Sequence, residues 1–565
     1  MNIYKNIIKS KKAFWLSVSV IYSLYFAIFS WQYAFSQQYL IQDDVRIHIV
    51  WLQRFIDPAL FSNDFLANYF IYFAPWGFKV IYWFGTKIGI EPLILAKIMP
   101  GFLGLITAIY VYLFTLKILP KPFSAFLASL MMTQLLWTND DLISATPRAF
   151  VYPLFAAFLY YLATEKLLFC LVSMFVLGLF YPQVLLVEIA VLGTRLLTKS
   201  DRFFELTTKI QPYQWFFCGI IVSAIALFPF SQRTPEWSNV VTATQMQQLP
   251  EFNENGRTYF YGVGWLKFIF AGDSGLCLPN FPPIIWLGFT LPLFLKQPLS
   301  TIKSLTVKIN ILWQVITASL LMFVAAHLLL LKIHLPSRYT YHTLRFVLAV
   351  SFAIVITVLI EISINWLQKQ TKLEFLNQVV IVASVSFLTV AFIFPAIPLV
   401  FNEWMQNWRI GHSPAIYEYL KQQPKDITIA SLSNEANYIP AFSLRSILVS
   451  EEFAFPYHPY YYREIEQRAA DLIKAQYATD TAVLNSFIDK YSVDFIFIDK
   501  TAFVPQYLQD KNWLVYSSWQ NVTEDAIALL ETKTSLVLPP LIKACSVVST
   551  PQANLLDTKC ITKKL

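Results

Sequence analysis

AFWLSVSVIYSLYFAIFSWQYAF, residues 13–35, runs directly into SQQYLIQDDVRIH, residues 36–48. The first stretch carries no charge and exceeds the roughly 20 apolar positions a helix needs to cross a bilayer. Lys5, Lys9, Lys11 and Lys12 precede it. A cleaved signal peptide has a shorter apolar region and a small-residue cleavage site. The segment therefore reads as an uncleaved first membrane helix, and the second stretch as the start of a polar loop.

Working outward, the same pattern recurs. The chain has 565 residues, 56% hydrophobic, 17% aromatic and only 14% charged. Soluble domains carry about a quarter charged residues, so bilayer is the fitting solvent for this surface. The net charge of +8 gives no nucleic-acid signal, because Lys and Arg sit in short clusters between apolar runs. Further spans are expected near 93–116, 122–138, 148–163, 167–181, 183–197, 213–230, 279–295, 309–331, 346–365 and 375–400, about eleven in all. Segment 71–90 is apolar but carries Lys79 and Lys87. It reads as an interfacial or re-entrant helix, since spanning there would invert everything downstream.

With the N-terminus cytoplasmic, the basic residues Lys117, Lys121, Lys166, Arg195, Lys199, Arg202, Lys209, Lys296, Lys303, Lys308, Lys369 and Lys372 all fall in inner loops, as the positive-inside rule requires. Loops 36–91, 139–147, 231–278 and 332–344 are then outside. The expected architecture is a polytopic α-helical membrane domain, residues 1–400, followed by an extracytoplasmic α/β domain, residues 401–565. ITIASLS (427–433), DFIFID (494–499) and WLVYSS (513–518) read as strands there, and 461–478 and 480–490 as helices. The protein would sit in the inner or plasma membrane as a multi-pass protein. Cys545 and Cys560 would form a disulfide if this domain lies outside. No P-loop or dinucleotide fingerprint is present.

The candidate chemistry lies on the outer side. Asp43 and Asp44 follow the first span, and a carboxylate there can take a proton from a sugar hydroxyl. On a helix Asp44 and His48 share a face at i, i+4, with Arg46 elsewhere. The plainer reading is an acidic helix start. Asp57, Asn63, Asp64 and Asn68 fit turn chemistry. TNDDLISATPRAF holds a second acidic pair, Asp140 and Asp141, with Arg148 at the bilayer edge. Such a charge faces a cavity or a partner. HLPSRYTYHTLRF presents Arg338, Tyr339 and Arg345. Arginine offers a planar fork of donors that suits phosphate, while interfacial tyrosines also serve simply as anchors. His458 alone makes no metal site, and Asn521-Val522-Thr523 is a weak glycosylation pattern.

The cytoplasmic N-terminus before one span, the first outer loop with Asp43-Asp44 and an interfacial helix, the many further spans and the soluble outer domain together resemble the GT-C superfamily of glycosyltransferases. TPRAFVYPL and LPSRYTYHTLRF look like segments of bacterial, especially cyanobacterial, proteins of this kind. The resemblance implies a polyprenyl-phosphate-sugar donor, transfer with inversion to an acceptor on the outer face, and membrane lipids as surroundings. It implies Asp43 or Asp44 as general base. His48, Asp140, Asp141, Arg148, Arg338, Tyr339 and Arg345 are the expected substrate-binding residues, with Arg338 and Arg148 stabilising the leaving phosphate. No cofactor is expected for a monophosphate leaving group, although two acidic pairs on one side leave a divalent metal open. A transporter or flippase and a noncatalytic envelope assembly protein are the rival readings. Transporters tend to show internal repeats and mid-membrane charges, and no convincing repeat is visible here.

The topology is directly testable. Cysteines introduced at Ser300 and Thr371 should resist impermeant thiol reagents in intact cells, and cysteines at Thr234 or Gln423 should react. Labelling of the Ser300 position from outside would overturn the eleven-span arrangement.

Overall fold

The computed structural model describes residues 2–199, 204–369 and 405–565. Among these, five helices are long and apolar enough to cross a membrane: Lys11–Ala34, Pro92–Ile118, Ile210–Ser231, Val307–Leu328 and Thr343–Trp366. Shorter apolar helices fill in between, at Pro122–Trp137, Leu167–Phe180 and Pro182–Thr194, with Val151–Ala163 beside them. The chain is a largely helical membrane protein. The expected span at 375–400 lies outside the described residues.

Local sequence explains the arrangement. Helix Pro122–Trp137 is apolar on every side, and its side chains from Ser124 to Trp137 are all buried. A helix without a polar face belongs at the centre of a bundle. The first helix packs on Pro92–Ile118, where Trp31 Nε1 donates to the Ile98 carbonyl at 3.0 Å. The expected regular span at 279–295 is corrected: residues Pro283–Thr290 form a 3₁₀ segment, followed only by the short helix Leu291–Phe294. Pro279, Pro282, Pro283 and Pro292 remove backbone donors and clash with the preceding turn, so an α-helix cannot propagate there.

Segment 71–90 is not one helix. Phe65–Phe73 and Trp76–Lys87 are separated at Ala74-Pro75. Trp76, Val80, Trp83, Phe84 and Ile88 are exposed along one side of the second helix, while Gly77, Phe78, Tyr82 and Gly85 are buried on the other. Lys79 and Lys87 lie over the Trp76 and Trp83 rings at 5.0 and 5.5 Å. Aromatic rings flanked by lysines suit a helix lying at a membrane surface.

Residues beyond 405 contain a five-stranded sheet. Ser446–Ile447, Thr428–Ala430 and Phe495–Asp499 run parallel, and Ala553–Asp557 and Ser546–Ser549 continue the sheet antiparallel. Helices Pro459–Gln476 and Thr481–Tyr491 occupy the positions read from the sequence. WLVYSS is not a strand. Asn512–Val515 is a helical turn with Trp513, Leu514 and Ser517 buried, a spacing of one and then three that matches a helical face. Cys545 and Cys560 form a disulfide, with Cα atoms 5.5 Å apart.

One short pairing ties the two parts together. Leu40–Gln42 pairs antiparallel with Trp408–Ile410, in the register Ile41 opposite Arg409. The ladder is extended by Asp43 N–H to the Asn407 carbonyl and Gly411 N–H to the Tyr39 carbonyl, both at 3.0 Å. The acidic loop after the first span is thus held by the polypeptide more than 360 residues later.

The close seating of the surface helix rests on its glycines. A Cβ at Gly77 would stand 2.7 Å from the Phe180 ring. Gly77→Ala should therefore cost roughly 1–3 kcal/mol, seen as a lower midpoint in thermal unfolding of detergent-solubilised protein. An unchanged midpoint would show that the helix floats free of Phe180.

Candidate active site

The site begins with a cap. The Gln42 side-chain oxygen accepts from the Asp44 and Val45 N–H groups at 2.8 and 3.2 Å. This starts the short helix Asp43–His48 and satisfies donors that the first turn would leave orphaned. Successive residues on a helix point about 100° apart, so the two adjacent aspartates go to different partners.

Asp43 faces the C-terminal part. It pairs with Arg46 one turn on and with Arg409 at 3.0 Å. Arg46 continues to Glu452 at 2.7 Å, which also receives Arg257 at 2.6 Å. This is a closed network of charges that clamps the helix against the sheet-bearing region.

Asp44 faces the bundle. It pairs with Arg148, whose guanidinium also meets Asp140 at 3.3 Å and Asp141 at 3.1 Å. Asp44, Arg148 and Asp140 remain partly exposed, with 16, 21 and 34% of their side chains accessible, whereas Asp141 has none. Beneath them lies a buried floor. Tyr152 O–H donates to Asp141 at 2.6 Å, Arg345 donates to Tyr152 at 2.9 Å and to Asn139 at 3.1 Å, and its guanidinium lies 3.6 Å above the Tyr341 ring. Burial pushes the Asp44 carboxyl up, to about 7; Arg148 opposes this, and Asp140, Asp43 and Asp141 add to it. His48 is pushed the other way, to about 3, by burial and by Arg148, so it is neutral at physiological pH.

Arg338 lies within electrostatic reach of Arg148 and of Tyr181. Its own partner is Asp273 at 3.2 Å, and 22% of its side chain is exposed. His334 nearby is held neutral, its pKa down to about 3, by burial and the Arg338 charge. Tyr339 turns away: it is fully buried and its hydroxyl donates to the Ile333 carbonyl.

Of the residues singled out in the sequence, the fold gathers Asp44, Asp140, Asp141 and Arg148 into one cluster, with Arg345 under it and Arg338 beside it. Asp43 and Tyr339 lie on the supporting side. Asp64 caps helix Phe65–Phe73 through the Ala67 N–H at 2.9 Å, and Asp57 pairs with Lys425, both structural roles. His458 accepts or donates at 2.7 Å to Tyr69 O–H. Thr523 of the glycosylation pattern is buried inside the helix Gln520–Glu531. Asp273, Tyr152 and Asn139 were not singled out. Tyr152 sits in an apolar run, where a phenol is the one polar tip that can signal a buried partner.

Among the described residues no three His, Cys, Asp or Glu side chains come together as a metal site. The positive charge facing the three carboxylates belongs to Arg148 itself. Asp44, Asp140 and Asp141 share it in one ion cluster.

No protein-family model and no curated protein matches the chain. Solved structures do. The archaeal oligosaccharyltransferase AglB from Archaeoglobus fulgidus, in complex with an inhibitory peptide and a dolichol-phosphate, superposes with a TM-score of 0.54 at 11% identity, over 91% of this chain and 72% of that one. The Archaeoglobus fulgidus oligosaccharyltransferase in complex with zinc and sulfate gives 0.52 at 14% identity, over 90% and 70%. The form tethered to an acceptor peptide containing the NVT sequon gives 0.50 at 13%, over 91% and 72%. At such identities the likeness is one of fold. The chain shares its fold with this archaeal oligosaccharyltransferase.

Arg148 is the residue whose loss should be felt most. Arg148→Met leaves Asp44, Asp140 and Asp141 facing one another uncompensated and should cost roughly 3 kcal/mol. Adding Asp140→Asn should restore part of that loss in thermal unfolding. Full additivity of the two changes would show that the cluster is not coupled.

Proposed function

We propose that the protein is an inverting glycosyltransferase that moves a sugar from a polyprenyl-phosphate donor to a hydroxyl acceptor on the outer face of the cell membrane. The carrying observation is the pairing in one partly exposed site of a carboxylate with raised basicity, Asp44, and two arginines, Arg148 and Arg338. The disulfide Cys545–Cys560 supports an oxidising compartment for the C-terminal part. The shared fold with a protein solved with a dolichol-phosphate supports a lipid phosphate as leaving group.

Asp44 is the base in this reading. The acceptor oxygen attacks the anomeric carbon, its proton passes to Asp44, and the bond from that carbon to the phosphate oxygen breaks. Polyprenyl phosphate leaves, its added charge met by Arg338 with Arg148 in support. A base with a pKa near the working pH is suited to this step. Asp43 positions the helix through Arg46 and Arg409, and Asp141 and Arg345 hold the floor.

The test is sugar transfer in membranes with a panel of polyprenyl-phosphate sugars. Asp44→Asn should lower turnover by about 10²–10⁴-fold, and Asp43→Asn should act mainly through stability. Arg338→Lys keeps the charge but loses the planar fork, so donor use should weaken. The pH profile gives an independent check. Asp44 works only when ionised, so the rate should fall as pH drops through about 7. Asp140→Asn removes a neighbouring negative charge, lowers the Asp44 pKa and should move that acid limb to lower pH. Equal transfer by wild type and Asp44→Asn would sink the mechanism, and consumption of no polyprenyl-linked donor would sink the transferase reading.

A further inference from the structure

A cavity lies beside the acidic loop, with none of the ion-cluster side chains in its lining. Its volume is about 580 Å³, and it opens where the first helix ends and where Pro92–Ile118 begins. Three kinds of group in its lining, which also holds the carboxylate of Glu91, bear on what it could bind. Gln42 and Gln53 are buried, at 1 and 4% exposure, and the Gln42 Nε2 has no hydrogen-bond partner among the described residues. Lys97 and the exposed Lys421 contribute positive charge. Phe35 and Ile94 form an apolar edge and are 52 and 40% exposed.

Each group points to a different part of one ligand. An unpaired buried amide donor is costly unless a polar group reaches it, and hydroxyls are such groups. Lysine ammonium groups at a membrane boundary attract phosphate. On the helix that carries Ile94, Phe102 and Ile106 are also exposed, one turn apart from each other. A soluble polyol would make no use of that edge, whereas acyl chains would lie along it.

We infer that this cavity binds the head group of an anionic phospholipid bearing free hydroxyls, with the hydroxyls against the Gln42 and Gln53 amides, the phosphate near Lys97 and Lys421, and the chains along Ile94, Phe102 and Ile106. The binding site stands on the cavity and the membrane character of the chain, and holds whether or not the protein transfers sugar. Because Gln42 also caps the helix of Asp44, an occupied cavity would brace the acidic loop.

Full-length protein in nanodiscs of phosphatidylcholine mixed with phosphatidylglycerol or with phosphatidic acid provides the test, with retained lipids counted by native mass spectrometry. Phosphatidylglycerol should be retained over both other lipids. The double variant Lys97→Gln, Lys421→Gln changes only partly or fully exposed side chains and should lower that retention by roughly tenfold. Equal retention of phosphatidylglycerol and phosphatidylcholine, or wild-type retention by the double variant, would overturn the site. Equal retention of phosphatidic acid would remove the role given to the amides and overturn the head-group assignment. Displacement by soluble glycerol 3-phosphate as readily as by the lipid would make it a site for a free anion, which also contradicts the proposal.

Discussion

The contact on which the candidate site depends is the seat of Arg148 among Asp44, Asp140 and Asp141. Three carboxylates at the edge of an apolar bundle repel one another and lose solvation. A single guanidinium with donors on both arms can serve several of them at once. Asp44 comes from the loop after the first helix and the other two from the loop after Pro122–Trp137, so the same ion cluster that makes burial tolerable also fixes one loop against the other. The hydroxyl of Tyr152 and the guanidinium of Arg345 then hold Asp141 from below, which leaves the upper face of the cluster accessible.

The second constraint acts from the opposite side. The strand Leu40–Gln42 pairs with Trp408–Ile410, and Asp43, Arg46, Arg409, Glu452 and Arg257 link into one network across that seam. The six-residue helix between the two attachments has little freedom. Adjacent aspartates therefore do unlike things: Asp43 anchors, and Asp44 faces the site with a raised pKa. Two roles from one dipeptide follow from helical geometry, because one step along the helix turns the side chain toward a different neighbour.

Charge within the site is shared among few groups. Asp44, Asp140 and Asp141 all pair with Arg148, and Arg338, paired with Asp273, adds a second guanidinium within its electrostatic reach. His48 and His334 are kept neutral by burial and by these arginines, so neither competes as a cation. A reaction that removes a proton and releases a phosphate can use a carboxylate and arginines gathered in this way, which supports the proposed transfer.

Much of the fold was legible in the residues. Long apolar runs can bury their surface only in lipid or in a bundle, so helices at 13–35, 93–116, 122–138 and 346–365 follow from composition and length. Within 71–90, the helix Trp76–Lys87 exposes Trp76 and Trp83, with Lys79 and Lys87 over their rings. Where proline removes backbone donors, as in 279–295, the apolar helical stretch Pro283–Phe294 is mostly 3₁₀ rather than a regular α-helix. WLVYSS failed because short apolar runs fit strand and helix alike. Asp43-Asp44, Asp140-Asp141, Arg148 and Arg338 were all visible as polar residues beside apolar runs. Which aspartate faces Arg148, that Arg345 and Asp141 form a buried floor, and that Asp273 answers Arg338 were decided only by the tertiary structure. Those pairings join residues tens to hundreds of positions apart, and no local periodicity encodes which distant charge a buried side chain will meet.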